Sequence, residues 1–170
     1  MRRLLLLAMI LLAASCATTP VNQTPTDIPC KWQRATVIRM EVPVPENWDY
    51  DDANLGGTEV SVSSPGEHAF LRITRTRASA ETRDMLVHLS GGMSQEERSE
   101  MNPRDIERSI LGQRAHGLQW KMLGGDFSAF MIERHGFSCL FVVGISPEAS
   151  ESERRAAFYV LDHLRPLSKP

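Results

Sequence analysis

The sequence predicts an α+β fold: a single, mainly antiparallel twisted sheet of about six strands packed with helices, the last of them amphipathic and C-terminal. Three observations predict it. Apolar and polar residues alternate with period two in several segments, as in Thr58-Glu-Val-Ser-Val-Ser63 and Ala69-Phe-Leu-Arg-Ile-Thr-Arg75. Tight-turn sequences, Ser64-Pro65-Gly66-Glu67 and His135-Gly136, join neighbouring alternating runs. Strand-like and helix-like stretches come in blocks, which favours an antiparallel sheet covered by helices over a parallel βαβ array.

In chain order, Ala35 to Val42 is rich in β-branched residues and reads as the first strand, ended by Pro43 and Pro45. Glu46-Asn47-Trp48 opens a polar turn with Asp49, Asp51 and Asp52, and Gly56-Gly57 marks a loop. The segments 58–63 and 69–75 form a hairpin, with Val60 and Val62 on one face. The middle reads as helical. Ser79 caps a helix carrying Met85, Leu86 and Leu89 that stops at Gly91-Gly92, and Ser94-Gln-Glu-Glu97 is a capping-box pattern. Asn102-Pro103-Arg104-Asp105 places an N-cap before a first-turn proline, so Ile106, Ile110 and Leu111 are expected on one face of a helix that Gly112 ends. Ala115 to Leu123 reads as a strand. The runs 127–134 and 137–145 follow as a hairpin, with Phe127, Ala129 and Met131 on one face of its first arm and Cys139, Phe141 and Val143 on one face of its second. Ser150-Glu-Ser-Glu153 is a further capping box, and Ala157, Phe158, Leu161 and Leu164 form the apolar stripe of a helix that Pro166 stops.

This order resembles the PsbP-like fold, a group that includes a photosystem II extrinsic subunit, a Ran-binding regulator and small bacterial envelope lipoproteins. Val42-Pro-Val-Pro-Glu-Asn-Trp48 looks like the family's P-x-x-W element after the first strand. Phe137 to Ile145, followed by Ser146-Pro147 and a helix with Phe158 and Leu161, looks like its closing strand and helix. The likeness spans residues 35–165 as a pattern of structural motifs. It implies a fold and a docking or assembly role, and it transfers no catalytic residue.

The N-terminus supplies an address. Arg2 and Arg3 precede an eleven-residue apolar run, Leu4 to Ala14. That length suits a signal h-region and is short of the ~20 residues that span a bilayer. Leu12-Ala13-Ala14-Ser15-Cys16 resembles a lipobox, with Ala13 where leucine is commoner. The expected organisation is a signal peptide over 1–15, a lipidated Cys16 with a flexible Thr/Pro tether over 16–29, and one α+β domain over 30–170. Diacylglycerol on the Cys16 thiol and a palmitate-type chain on its amine would give the multiple chains that stable anchoring needs. Ala17, rather than aspartate, favours the outer membrane in a Gram-negative host, with the domain facing the periplasm.

Charge and cysteines narrow the function. With Arg2 and Arg3 removed from the nineteen basic residues, seventeen face twenty-one acidic ones, for a mature net charge of −4. No basic run points to nucleic acid. Cys30 and Cys139 remain, and an oxidising compartment favours a disulfide between them, which the chain-entropy account values at about 4–5 kcal/mol; two buried thiols are the alternative.

Five histidines, His68, His88, His116, His135 and His163, are scattered without metal-ligand spacing, and the acidic stretch around Asp49, Asp51 and Asp52 lacks the EF-hand glycine and glutamate. No nucleophile elbow, P-loop or dinucleotide pattern occurs. No metal, cofactor or catalytic residue is therefore expected. Arg72 and Arg75, with Arg77, form a basic cluster, and Trp48 is an anchor candidate, so these are the partner-binding candidates. The expected function is a non-catalytic binding or assembly module, held to the membrane by its lipid and docking to another envelope protein. A hydrolase with a spatially assembled site and a carrier of an apolar ligand are the alternatives. The carrier needs a cavity between sheet and helices.

Overall fold

The computed structural model describes residues 28–52, 57–76, 101–134 and 136–167. These form ten strands and one α-helix: β1 (Cys30–Ala35), β2 (Met40–Pro45), β3 (Asp49–Asp51), β4 (Glu59–Ser63), β5 (Ala69–Thr76), β6 (Arg104–Ile110), β7 (Gln113–Met122), β8 (Gly125–Arg134), β9 (Phe137–Ile145), α1 (Glu151–Asp162) and β10 (Arg165–Pro166). The strands make two antiparallel sheets. One is three-stranded, β1-β2-β10, and the other seven-stranded, β3-β4-β5-β9-β8-β7-β6. The α+β class stands. The single sheet of about six strands does not, and two local events explain the difference.

The first is a turn inside the run read as one strand. Residues 36–39 reverse the chain, with Arg39 N–H donating to the Thr36 carbonyl at 3.2 Å and Arg39 at φ 55°. The result is a β1–β2 hairpin in which Ala35 faces Met40 and Cys30 faces Pro45. Pro43 lies inside β2, and Pro45 is its last residue. β10 pairs with β2 only at Met40 and Glu41, so the missing proline N–H groups leave no bond to β10 unmade. The second event is at 104–110, where a helix is expected and β6 is found. Ile106, Arg108 and Ile110 alternate with Asp105, Glu107 and Ser109, and pairing with β7 from Arg104↔Gln119 to Ile110↔Gln113 uses that alternation. Tertiary pairing overrides the Asn-Pro helix-start signal. The helices expected from Ser79 and Ser94 lie outside the described residues.

The other turns form as expected. Pro65–Glu67 makes a 3-10 turn between β4 and β5, and Ser64 Oγ accepts from the Ala69 N–H at 3.0 Å. The β8–β9 hairpin keeps a regular register from Asp126↔Ile145 to Arg134↔Phe137. The Ser150 hydroxyl accepts from Glu153 N–H while the Glu153 carboxylate accepts from Ser150 N–H, completing the capping box of α1.

One face of the large sheet meets α1 and β2. Ala156, Ala157, Val160 and Leu161 of α1 pack with Leu71 and Ile73 of β5, Phe141 and Val143 of β9, and Met40 and Val42 of β2 in one buried cluster. Each of the larger side chains among these contributes roughly 1.5–3 kcal/mol relative to exposure, the two alanines less. The opposite face carries a second buried cluster, Leu118, Trp120, Ala129, Met131 and Leu140 with Met101, in which Trp120 stacks on Phe127 at 5.6 Å. Gly117 permits the close approach of β7 to β8. A Cβ there would overlap both the Ala129 carbonyl oxygen and the Phe130 ring. No helix among the described residues is long and apolar enough to cross a membrane.

Candidate functional site

α1 covers only part of the inner sheet face. Between its flank and strands β6 to β9 lies a cleft of about 1060 Å³, at the upper end of ordinary ligand pockets. Its floor is Val143 and Ile145 of β9, Ser128 of β8 and Gln119 of β7, and its roof is Phe158 and Tyr159 of α1. Ser128 is buried and Val143 and Ile145 are apolar, so the floor is mixed in polarity.

Trp48 stands at the mouth. The Pro45-Glu-Asn-Trp48 turn places it there: Trp48 N–H donates to the Pro45 carbonyl at 3.1 Å, and Asn47 takes the left-handed conformation, φ 66°, that asparagine tolerates better than most residues. Glu46 N–H in turn donates to the Pro29 carbonyl at 3.1 Å, so the first described residues also border the opening.

Two arginine–carboxylate pairs bracket the cleft. At one end Arg108 of β6 makes a bidentate pair with Asp162 of α1, both bonds 2.6 Å, and its guanidinium lies 4.8 Å above the Phe158 ring. At the other, Arg154 of α1 donates to the Ser146 carbonyl at 3.1 Å, the Ala149 carbonyl at 3.3 Å and Asp126 at 3.4 Å, while Lys121 approaches Asp126 at 3.3 Å. These contacts tie α1 to both the edge strand and the start of β8. His163 lines the cleft with its ring stacked on Tyr159 at 3.9 Å. Its Nδ1 is 2.9 Å from the Tyr159 carbonyl, an acceptor, so Nδ1 carries the proton. The arrangement offers aromatic surface, a few polar groups and charges already partnered within the protein, which suits non-covalent binding. Among the described residues no three His, Cys, Asp or Glu are grouped to hold a metal ion.

Of the residues singled out in the sequence, Trp48 belongs to this cleft. Arg72 and Arg75 do not, and they do not form one patch. Arg72 lies on the outer face of β5, 3.1 Å from Glu59 and over Phe70, whereas Arg75 lies on the inner face over the Phe137 ring at 4.2 Å. Their spacing along a strand is odd, and successive side chains alternate faces. The expected Cys30–Cys139 disulfide is absent: both thiols are free. Cys139 is buried in the ladder between Arg75 and Ile132, while Cys30 pairs with Pro45 in the other sheet. Burial pushes the Cys139 thiol up to about 11, and burial followed by the Glu46 charge raises that of Cys30. Cys16 lies outside the described residues. The sequence pairs neither Arg108 with Asp162 nor Arg154 with Asp126, because each pair joins segments distant in the chain and Arg108 reads as helical. Ile106 and Ile110 in one phase, with Glu107 and Ser109 in the other, are the signal for a strand.

A seven-stranded antiparallel sheet closed by a C-terminal helix, with the P-x-x-W turn at its rim, defines the PsbP-like fold, and that is the fold of this chain. It is similar to the cyanobacterial PsbP of Synechocystis sp. PCC 6803, with TM-score 0.55 and 11% identity over 83% of this chain and 94% of that one. A protein of Bacteroides thetaiotaomicron aligns with TM-score 0.50 and 9% identity over 82% of this chain and 49% of its own length. LpqN, involved in cell envelope biogenesis in Mycobacterium tuberculosis, aligns more loosely, with TM-score 0.35 and 12% identity over 81% of this chain and 84% of that one. No protein-family model matches the sequence, and no curated protein matches it.

Proposed function

We propose that the chain is a lipid-anchored protein of the cell envelope that binds another envelope component without catalysing a reaction, and that the cleft beneath α1 is its binding element. The observation that carries this reading is the composition of the cleft. Trp48 and Phe158 present aromatic surface at an opening whose cations, Arg108 and Arg154, are held by Asp162 and Asp126. Such a site recognises shape and apolar area with a few polar contacts, as interface hot spots do. The envelope address rests on the lipobox ending at Cys16 and on the Thr/Pro tether that follows.

A photo-crosslinking residue at Arg155, on the exposed rim, tests the reading in cells against the same residue at Glu133 on the far face. One defined protein adduct from position 155, absent at 133 and reduced by Phe158→Glu, supports it. Equal labelling from both positions removes the cleft from the interaction. The volume of the cleft and its apolar lining at Val143, Ile145 and Phe158 favour a second reading, carriage of an apolar ligand. Native mass spectrometry of gently purified protein separates the two, because a carrier arrives with a small lipophilic mass.

A further inference from the structure

We propose that the outer face of the three-stranded sheet is a membrane-apposing surface, with Trp32 seated at the headgroup boundary and Arg34, Arg39 and Arg165 meeting anionic lipid phosphates. The proposal rests on the lipid-anchor reading above and adds to it a defined orientation of the domain.

The register fixes which residues share this face. Met40, Val42 and Val44 of β2 point into the core. The alternate positions of β2 face the other way, and Trp32 is opposite Pro43 while Arg34 and Arg165 are both opposite Glu41. Trp32 is 40% exposed, the opposite of what an ordinary core tryptophan shows, and the Arg165 guanidinium lies 3.9 Å from its ring centroid. That contact holds an apolar ring and a cation side by side, the pairing that suits the boundary between acyl chains and phosphates. Arg39 joins them from the β1–β2 turn, where its carbonyl accepts from Leu167 N–H at 3.1 Å.

Charge complementarity points to the same occupant. Arg72, Arg108, Arg114 and Arg154 each hold a carboxylate, but among the described residues Arg34, Arg39 and Arg165 form no ion pair. Among the described residues the register places Glu41 with Arg34 and Arg165 on this face, Arg39 stands at its turn and Glu46 lies at its other end near Cys30, so three guanidinium groups accompany two carboxylates on a mature sequence that is acidic as a whole. An anionic surface attracts such a patch, and each cation near it strengthens association by about fivefold at ordinary ionic strength.

The connection to the anchor supplies the third argument. β1 starts at Cys30, two residues before Trp32, and thirteen residues separate Cys30 from the lipobox cysteine. Thirteen residues reach at most about 45 Å when fully extended, so on that reading the domain cannot leave the neighbourhood of the lipid surface. The anchored domain therefore samples the lipid surface at high effective concentration, and β1 is the strand the tether delivers first.

The test uses the full lipidated chain reconstituted in phosphatidylcholine vesicles containing 30 mol% brominated phosphatidylglycerol, against vesicles containing brominated phosphatidylcholine alone, the bromine serving as a tryptophan quencher. Quenching confined to the anionic vesicles is expected. Trp32→Phe should remove most of it. Arg34→Glu with Arg165→Glu, both at exposed positions that leave the core intact, should lower it to the zwitterionic level, as should high salt. Quenching that Trp32→Phe leaves unchanged, in protein whose N-terminal peptide mass shows acyl chains, overturns the proposal and leaves the anchor reading standing. A peptide mass without acyl chains overturns the anchor reading instead. The face is then judged by sedimentation of the unacylated chain with the same vesicles: salt-sensitive binding that the charge reversals abolish supports it, and no binding overturns it. A protein crosslinked from position 34, with Trp32 unquenched, assigns the face to a protein and also overturns the proposal.

Discussion

The Arg108–Asp162 pair joins an edge strand of the large sheet to the last turn of α1, and its removal should loosen the end of the cleft by a measurable amount. Two 2.6 Å bonds connect the groups, whose side chains keep 31% and 38% of their exposure. Opposite charges about 4 Å apart in an effective dielectric of about 20 attract by about 4 kcal/mol. Desolvation and lost rotamer freedom cancel most of that, and exposed pairs measure about 0.2–1 kcal/mol. A bidentate pair whose arginine is also seated on Phe158 belongs at the upper end, giving an expected coupling of ~1 kcal/mol.

Arg108→Ala should therefore cost ~1.5 kcal/mol, because it also loses the ring contact. Asp162→Ala should cost less, ~0.7 kcal/mol, since an aspartate in the last helical turn faces the negative end of the helix dipole and its loss returns a few tenths. The double variant should cost ~1.2 kcal/mol, less than the two singles together by the coupling. Urea midpoints for the four proteins, at constant m-value, measure all three quantities. In 1 M salt the coupling should fall by about half. A coupling below ~0.3 kcal/mol at low salt would show that the pair is geometry without energetic consequence.

Ser150→Ala should destabilise by about 1 kcal/mol through loss of the helix cap. The Ser150 hydroxyl and backbone hold the Glu153 carboxyl below the usual carboxylate range, so the stability it contributes is complete above the unfolded value of about 4.3 and is lost as pH falls through the lower folded value. An acid titration followed by circular dichroism should show a shallower loss in the variant than in the parent. Gly117→Ala should cost about 1–3 kcal/mol by overpacking against backbone as well as Phe130, and a melting temperature unchanged from the parent would contradict that collision. Iodoacetamide on native protein purified without reductant should alkylate Cys30 and spare Cys139 until denaturant is added, while recovery of a bridged, unlabelled pair would refute two free thiols.

Local chemistry made much of this fold legible. The Ser150/Glu153 capping box, the Pro65-Gly66 turn and the alternation through 58–75 and 127–145 are decided by neighbours in sequence, and each forms where it was expected. Failures fell where distant partners decide. Arg39 adopts a left-handed turn because β1 and β2 pair, and nothing in Ala35 to Val42 announces a reversal. β6 is a strand because β7 offers it a partner, against a local helix-start pattern. The cleft is not legible for the same reason: Trp48 stands out in the sequence as a candidate, but Arg108 and Asp162 are 54 residues apart and meet only once β6 is a strand. Arg72 and Arg75 looked like one cluster in sequence and are divided by the pleat.

Among the described residues the two edge strands of the large sheet, β3 and β6, are unequal, and the difference bears on how copies of the protein meet. β3 offers only Asp49–Asp51, too short to template much pairing. β6 is seven residues long, and two copies meeting antiparallel about its midpoint would set Glu107 directly against Glu107. The Arg114 guanidinium, hydrogen-bonded to that carboxylate, lowers its titration from the ordinary carboxylate range, so two ionised glutamates would face each other across the new ladder, an arrangement that destabilises strand pairs. A glutamate at the centre of the longer edge lets copies collide without fusing their sheets.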